Sequence, residues 1–131
     1  MNRSVMLTIT SLLSLLLLTF HLSDDIVYGF EPGGLANLIM VVPISAIWLY
    51  GTLVLAGRRS GYIIIILGSL LGMFVPYIHM SGKGVGVTSR LANSSGHFFF
   101  VWTLIAIGVT SLFSVILSAH GLWSLPWRRR R

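Results

Sequence analysis

Four apolar runs constrain this chain more than any other feature. Residues 5–22, 35–56, 62–80 and 98–119 contain no carboxylate, lysine or arginine. Each is close to the ~20 residues that a helix needs to cross a hydrocarbon core of ~30 Å. Because 55% of the chain is hydrophobic and only 9% is charged, little remains from which to build a separate water-soluble domain. The expected fold is therefore all-α, a four-transmembrane-helix bundle forming a single integral-membrane domain over residues 1–131. Met1-Asn2-Arg3 resembles the start of a signal peptide. However, His21-Leu22-Ser23 after the first run lacks the small-x-small pattern of a cleavage site, so the run is read as the first helix.

Basic residues orient the bundle. Arg3, Arg58, Arg59, Arg128, Arg129, Arg130 and Arg131 fall on one side, and only Lys83 and Arg90 on the other. Under the positive-inside rule this split places both termini in the cytoplasm and Asp24, Asp25 and Glu31 outside. The basic balance then requires no nucleic acid. Trp123, Trp127 and the four terminal arginines read as an interfacial anchor on anionic lipid, where each charge adds ~1 kcal/mol, or simply as a topology determinant. The chain has no cysteine, which excludes disulfides, thiolate ligands and c-type haem attachment.

A duplication is suggested by two short matches. His21-Leu22-Ser23 and His79-Met80-Ser81 end the first and third runs, and Leu35-Ala36-Asn37 and Leu91-Ala92-Asn93 follow at nearly the same spacing. Two parallel two-helix repeats would be related by an axis along the membrane normal. His21 and His79 would then face each other across that axis at equal depth, and Asp25 would correspond to Lys83, a pairing that suits a bridge between the outer loops. Coincidence in a chain rich in leucine and serine is the alternative.

Small residues mark where helices touch. Gly57-x-x-x-Gly61, Gly68-x-x-x-Gly72 and the series Ala106, Thr110, Ser114, Ser118 permit close backbone approach, within the bundle or between copies. The link Gly57-Arg58-Arg59-Ser60-Gly61 is short enough to make the second and third helices antiparallel neighbours. Pro43 and Pro76 free the carbonyls of Ile39 and Gly72 and are expected to kink the outer halves of their helices, next to a small outward-opening cavity. Ser94-Ser95-Gly96 reads as a cap for the fourth helix. Phe98, Phe99, Phe100, Trp102 and Tyr77 read as an outer aromatic belt, and His120 as a cation at the last helix's C-terminal end.

Chemistry is concentrated outside. His21, Asp24, Asp25 and Tyr28 follow i, i+3, i+4, i+7, so they share a face if the first helix continues to Gly29. A histidine and a carboxylate at that spacing are a usable pair of metal ligands, which His79 and His97 could complete. The candidate metal set is thus His21, Asp24, Asp25, His79 and His97. Imidazole and oxygen donors without thiolate suit a divalent transition metal such as Zn, Mn, Fe or Cu. A b-type haem held by His21 and His79 is a lesser alternative, and purely interfacial structure, with acids paired to Lys83 and Arg90, is the plain one. Transport gains little support, since no charge lies at a membrane centre.

Through the stretch from His21-Leu22-Ser23-Asp24-Asp25-Ile26 to Glu31-Pro32-Gly33-Gly34, and through Asn93-Ser94-Ser95-Gly96, the chain resembles small four-span bacterial inner-membrane proteins of uncharacterised function. The resemblance implies a bacterial inner membrane and no particular activity. The sequence reading is an accessory or assembly-type membrane protein with a metal- or ligand-capable outer cluster, working alone, as a homo-oligomer or within a larger membrane complex. The alternatives are a small metalloenzyme or haem redox protein and, more weakly, an oligomeric transporter.

Overall fold

A computed structural model describes residues 2–28, 35–81 and 97–126, and the regular structure among them is four α-helices: α1 (Arg3–Tyr28), α2 (Leu35–Leu53), α3 (Arg59–Ser81) and α4 (His97–Ser124). The all-α expectation holds. Over Arg3–Val27, Arg59–His79 and Phe98–Ser124 the helices are long and apolar enough to cross a membrane, whereas the described apolar stretch of α2, Ile39–Leu53, is shorter.

Three helices outrun their apolar stretches. At 1.5 Å per residue the 26 residues of α1 extend ~39 Å, beyond the ~30 Å of hydrocarbon. Hydropathy predicts that α1 ends at residue 22 and α4 at residue 119, where polarity begins. In the structure they run on to Tyr28 and Ser124. A helix that leaves the hydrocarbon keeps its internal hydrogen bonds, so loss of hydropathy does not itself end it. α2 errs the other way, ending at Leu53 rather than at residue 56. Leu55 N–H bonds Tyr50 O at 3.2 Å, Arg58 N–H bonds Leu55 O at 3.0 Å, and Gly57 turns the chain with φ 75°. That φ is a left-handed conformation that glycine adopts without penalty. Gly57 is thus a turn residue, with nothing within 4 Å of the position its Cβ would take, and not a helix-packing residue as its GxxxG spacing suggested. Its partner Gly61 does pack, because a Cβ there would strike the Leu55 carbonyl.

Helix order around the bundle is α1–α4–α3–α2. α4 packs extensively along both α3 and α1, α2 packs along α3 and more lightly along α1, and α1 meets α3 only across the diagonal. On the α1–α4 seam Ser14 Oγ donates to Thr110 Oγ1 at 2.9 Å and Ser114 Oγ donates to Thr10 Oγ1 at 3.1 Å, which is an antiparallel register. The four-residue series on α4 therefore serves this internal seam. Between α1 and α2, Trp48 Nε1–H donates to Ser11 Oγ at 2.8 Å, and Ser11 shares a 2.7 Å hydrogen bond with Thr52.

The interior combines Leu7, Leu15, Leu18, Trp48, Ile65 and Ile107 with buried Ser11, Ser14, Ser69, Thr103 and Ser111, while Leu13, Leu16, Phe20, Leu67, Phe74 and Phe113 face outward. Large apolar side chains outside and small hydroxylated ones inside are what helices in lipid require. Close packing and interhelical hydrogen bonds join helices there, because the hydrophobic effect does not. Pro43 and Pro76 lie inside continuous helices. A cavity of about 250 Å³ lies between the C-terminal half of α1 and the N-terminal half of α2, lined by Thr19, Leu22, Ser23, Ile26, Val42 and Ser45.

Candidate metal centre

The continuation of α1 past Leu22 makes the site. His21 and Asp25 stand one turn apart on it, and His79 comes from the last turns of α3. Because α1 and α3 are parallel diagonal partners, their C-terminal ends lie at the same end of the bundle. The diagonal gap there is closed by the two imidazoles. His21 Nε2 and His79 Nε2 are 3.0 Å apart in a hydrogen bond, with ring centroids 4.5 Å apart and planes at 88°. One ring must donate and the other accept, so at most one Nε2 of the pair carries a proton in the neutral state. Asp25 Oδ2 lies 3.4 Å from His21 Nε2 and 3.9 Å from His79 Nε2. All three side chains are buried, with relative exposures of 1% for His21, 1% for Asp25 and 8% for His79.

Phe100 of α4 forms the wall, its ring 4.9 Å from that of His21 and 5.7 Å from that of His79. Below it, Leu104, Ile107, Leu18 and Leu15 fill the interior. From sequence, Phe100 is expected in the outer aromatic belt with Phe98, Phe99, Trp102 and Tyr77. Those four are exposed and fit a belt, but Phe100 is 1% exposed. Its spacing to Thr103, Leu104 and Ile107, i, i+3, i+4, i+7, was the available signal for an inward stripe.

These three residues could hold a metal ion. The separations of 3.0, 3.4 and 3.9 Å define a point about 2.0 Å from all three donor atoms, which matches the ~2.0–2.2 Å of Zn–N and Zn–O bonds. The same 3.0 Å is too short for a bis-histidine haem, whose two nitrogens lie on opposite faces of the macrocycle at about twice a metal–nitrogen distance. Two imidazoles and one carboxylate form a donor set that leaves further coordination positions open, the arrangement of catalytic zinc and of non-haem iron sites.

The remaining predicted residues fare differently. Asp24 lies beside the group but is not part of it. At 100° per residue it points about 100° around α1 from Asp25, and it is only partly buried, with Oδ2 lacking a hydrogen-bond partner among the described residues. His97 begins α4, but its side chain, like those of Tyr28 and Lys83, lies outside the described residues, as do Ser94, Ser95 and the four terminal arginines. His120 does not end α4. It sits one turn before Ser124, where Arg3 Nη1 contacts its Nε2 at 3.2 Å and its Nδ1 at 3.5 Å. Comparison with protein families, with curated proteins and with solved structures finds no match to this chain. Geometry therefore carries the functional argument.

Proposed function

We propose that this chain is a small integral-membrane accessory or assembly protein that holds one divalent transition-metal ion between His21, Asp25 and His79. One observation carries the proposal: three potential ligand atoms from two diagonal helices converge to within a metal–ligand distance of a single point. Buried ionisable side chains at the end of a lipid-length bundle cost least when they share a partner, and a cation is the partner common to all three. The open coordination positions favour a second reading, a metalloenzyme in which the ion activates water. The leucine and isoleucine layer beneath the site supports access from the outer end rather than a conduit through the bundle.

In this reading residues 1–131 form one membrane domain in a bacterial inner membrane, with both termini cytoplasmic and the metal site external. A periplasm-active reporter fused at Gly86 is then active and one fused after Arg131 silent; the reverse pattern would turn the site inward. The metal is tested on detergent-purified full-length protein by elemental analysis and by cobalt absorption spectroscopy. About one ion per chain is expected, lost when His79 and Asp25 are replaced by alanine. Protein that takes up no Zn, Mn, Fe, Cu or Co would leave the cluster as structure only.

A further inference from the structure

The arginine-rich end carries a separate cluster. Arg3 at the start of α1 meets His120 near the end of α4 over a cavity of about 310 Å³ whose rim includes Ser4 and Ser124 and whose floor includes Leu7 and Leu117. Such a basic pair ordinarily finds a carboxylate. Of the chain's three acidic side chains, the two among the described residues, Asp24 and Asp25, stand about 31–33 Å along α1 from Arg3. Seven arginines are assigned to this end by sequence and no acidic side chain is, an excess of cation that favours a counter-anion from outside the chain.

We propose that the Arg3–His120 cavity binds a phosphate oxyanion, as a mono- or diester. Arginine's planar fork suits two phosphate oxygens at once. Where one imidazole nitrogen accepts from Arg3, the other carries a proton and can donate to the same anion. Hydroxyls of Ser4 and Ser124 at the rim extend the donor set, and the leucine floor suits the carbon chain attached to a phosphodiester. A lipid headgroup and a soluble phosphate share this chemistry.

Full-length protein in neutral detergent separates the two sources. In native mass spectrometry with added phosphatidylglycerol, one lipid is retained per chain. Arg3→Gln or His120→Gln weakens retention about tenfold, the loss of one charge-assisted hydrogen bond, while replacing Arg128, Arg129, Arg130 and Arg131 by glutamine leaves that lipid bound. If inorganic phosphate alone moves the His120 ring ¹⁵N signals of the wild-type protein and the lipid is not retained, the site takes free phosphate. The wild-type titration decides the matter even if a variant fails to fold. The proposal is overturned if neither ligand perturbs His120, or if lipid retention depends on the terminal arginines alone.

Discussion

Two histidine contacts stand at opposite ends of one bundle and differ in almost every physical respect. His21 and His79 are buried, bring a carboxylate with them and are sealed by Phe100; His120 is exposed, faces an arginine and pairs with no acid among the described residues. The first arrangement brings two imidazole nitrogens and a carboxylate oxygen together, donors that a cation can share once the proton between the rings is displaced. The second collects N–H donors around a cavity and calls for an anion. Residue type alone does not assign a role to a histidine; the charge of what stands beside it does.

The comparison breaks most visibly at the metal. His79→Ala or Asp25→Ala is expected to weaken cobalt or zinc binding by more than the 10–100-fold that loss of an outer-shell partner costs, whereas His120→Ala and Asp24→Asn leave it unchanged. A competition titration reads this directly, and equal losses at His79 and His120 would erase the distinction between the two ends. Acidity separates them next. Metal ligation displaces protons from its ligands, so affinity at the His21–Asp25–His79 end rises with pH and falls in acid, up to tenfold per pH unit for each proton displaced. Phosphate held by Arg3 keeps its cationic partner throughout. Calorimetry at two pH values checks the sign.

Smaller effects concern how each half is held. Gly61→Ala in the first turn of α3 must displace backbone, and Gly68→Ala brings a methyl 2.5 Å from the Trp48 ring. Each is expected to destabilise by ~1–3 kcal/mol as overpacking, Gly61→Ala the more because backbone yields less than a side chain. Unfolding midpoints in mixed micelles rank them. On the α1–α4 seam, a double-mutant cycle of Ser14→Ala with Thr110→Val should give a coupling of only ~0.6 kcal/mol, since separated helices in lipid also find partners for their hydroxyls.

Much of this was legible in the sequence, for a definite reason. The ban on charge in hydrocarbon forced the helix count and antiparallel order, and the matched positions of His21 and His79 gave their meeting across the diagonal before any coordinates. What hydropathy could not give was where each helix stops, because helical hydrogen bonding continues into water. That same continuation ordered Asp24 and Asp25. Their i+3 and i+4 offsets look equivalent as ligand spacing, yet only Asp25 turns toward α3. The Arg3–His120 contact was hidden because it joins residues 117 positions apart, and no periodicity within a single helix reports on it.

The diagonal origin of the candidate metal site has a consequence for how the protein is made. His21 and Asp25 belong to the first helical hairpin and His79 to the second, so neither hairpin holds the full ligand set as it leaves the insertion machinery. The site comes into being only when the two hairpins dock. Any ion bound there adds its binding free energy to that docking step, and chelation would loosen the two halves of the chain from each other rather than unravel either one.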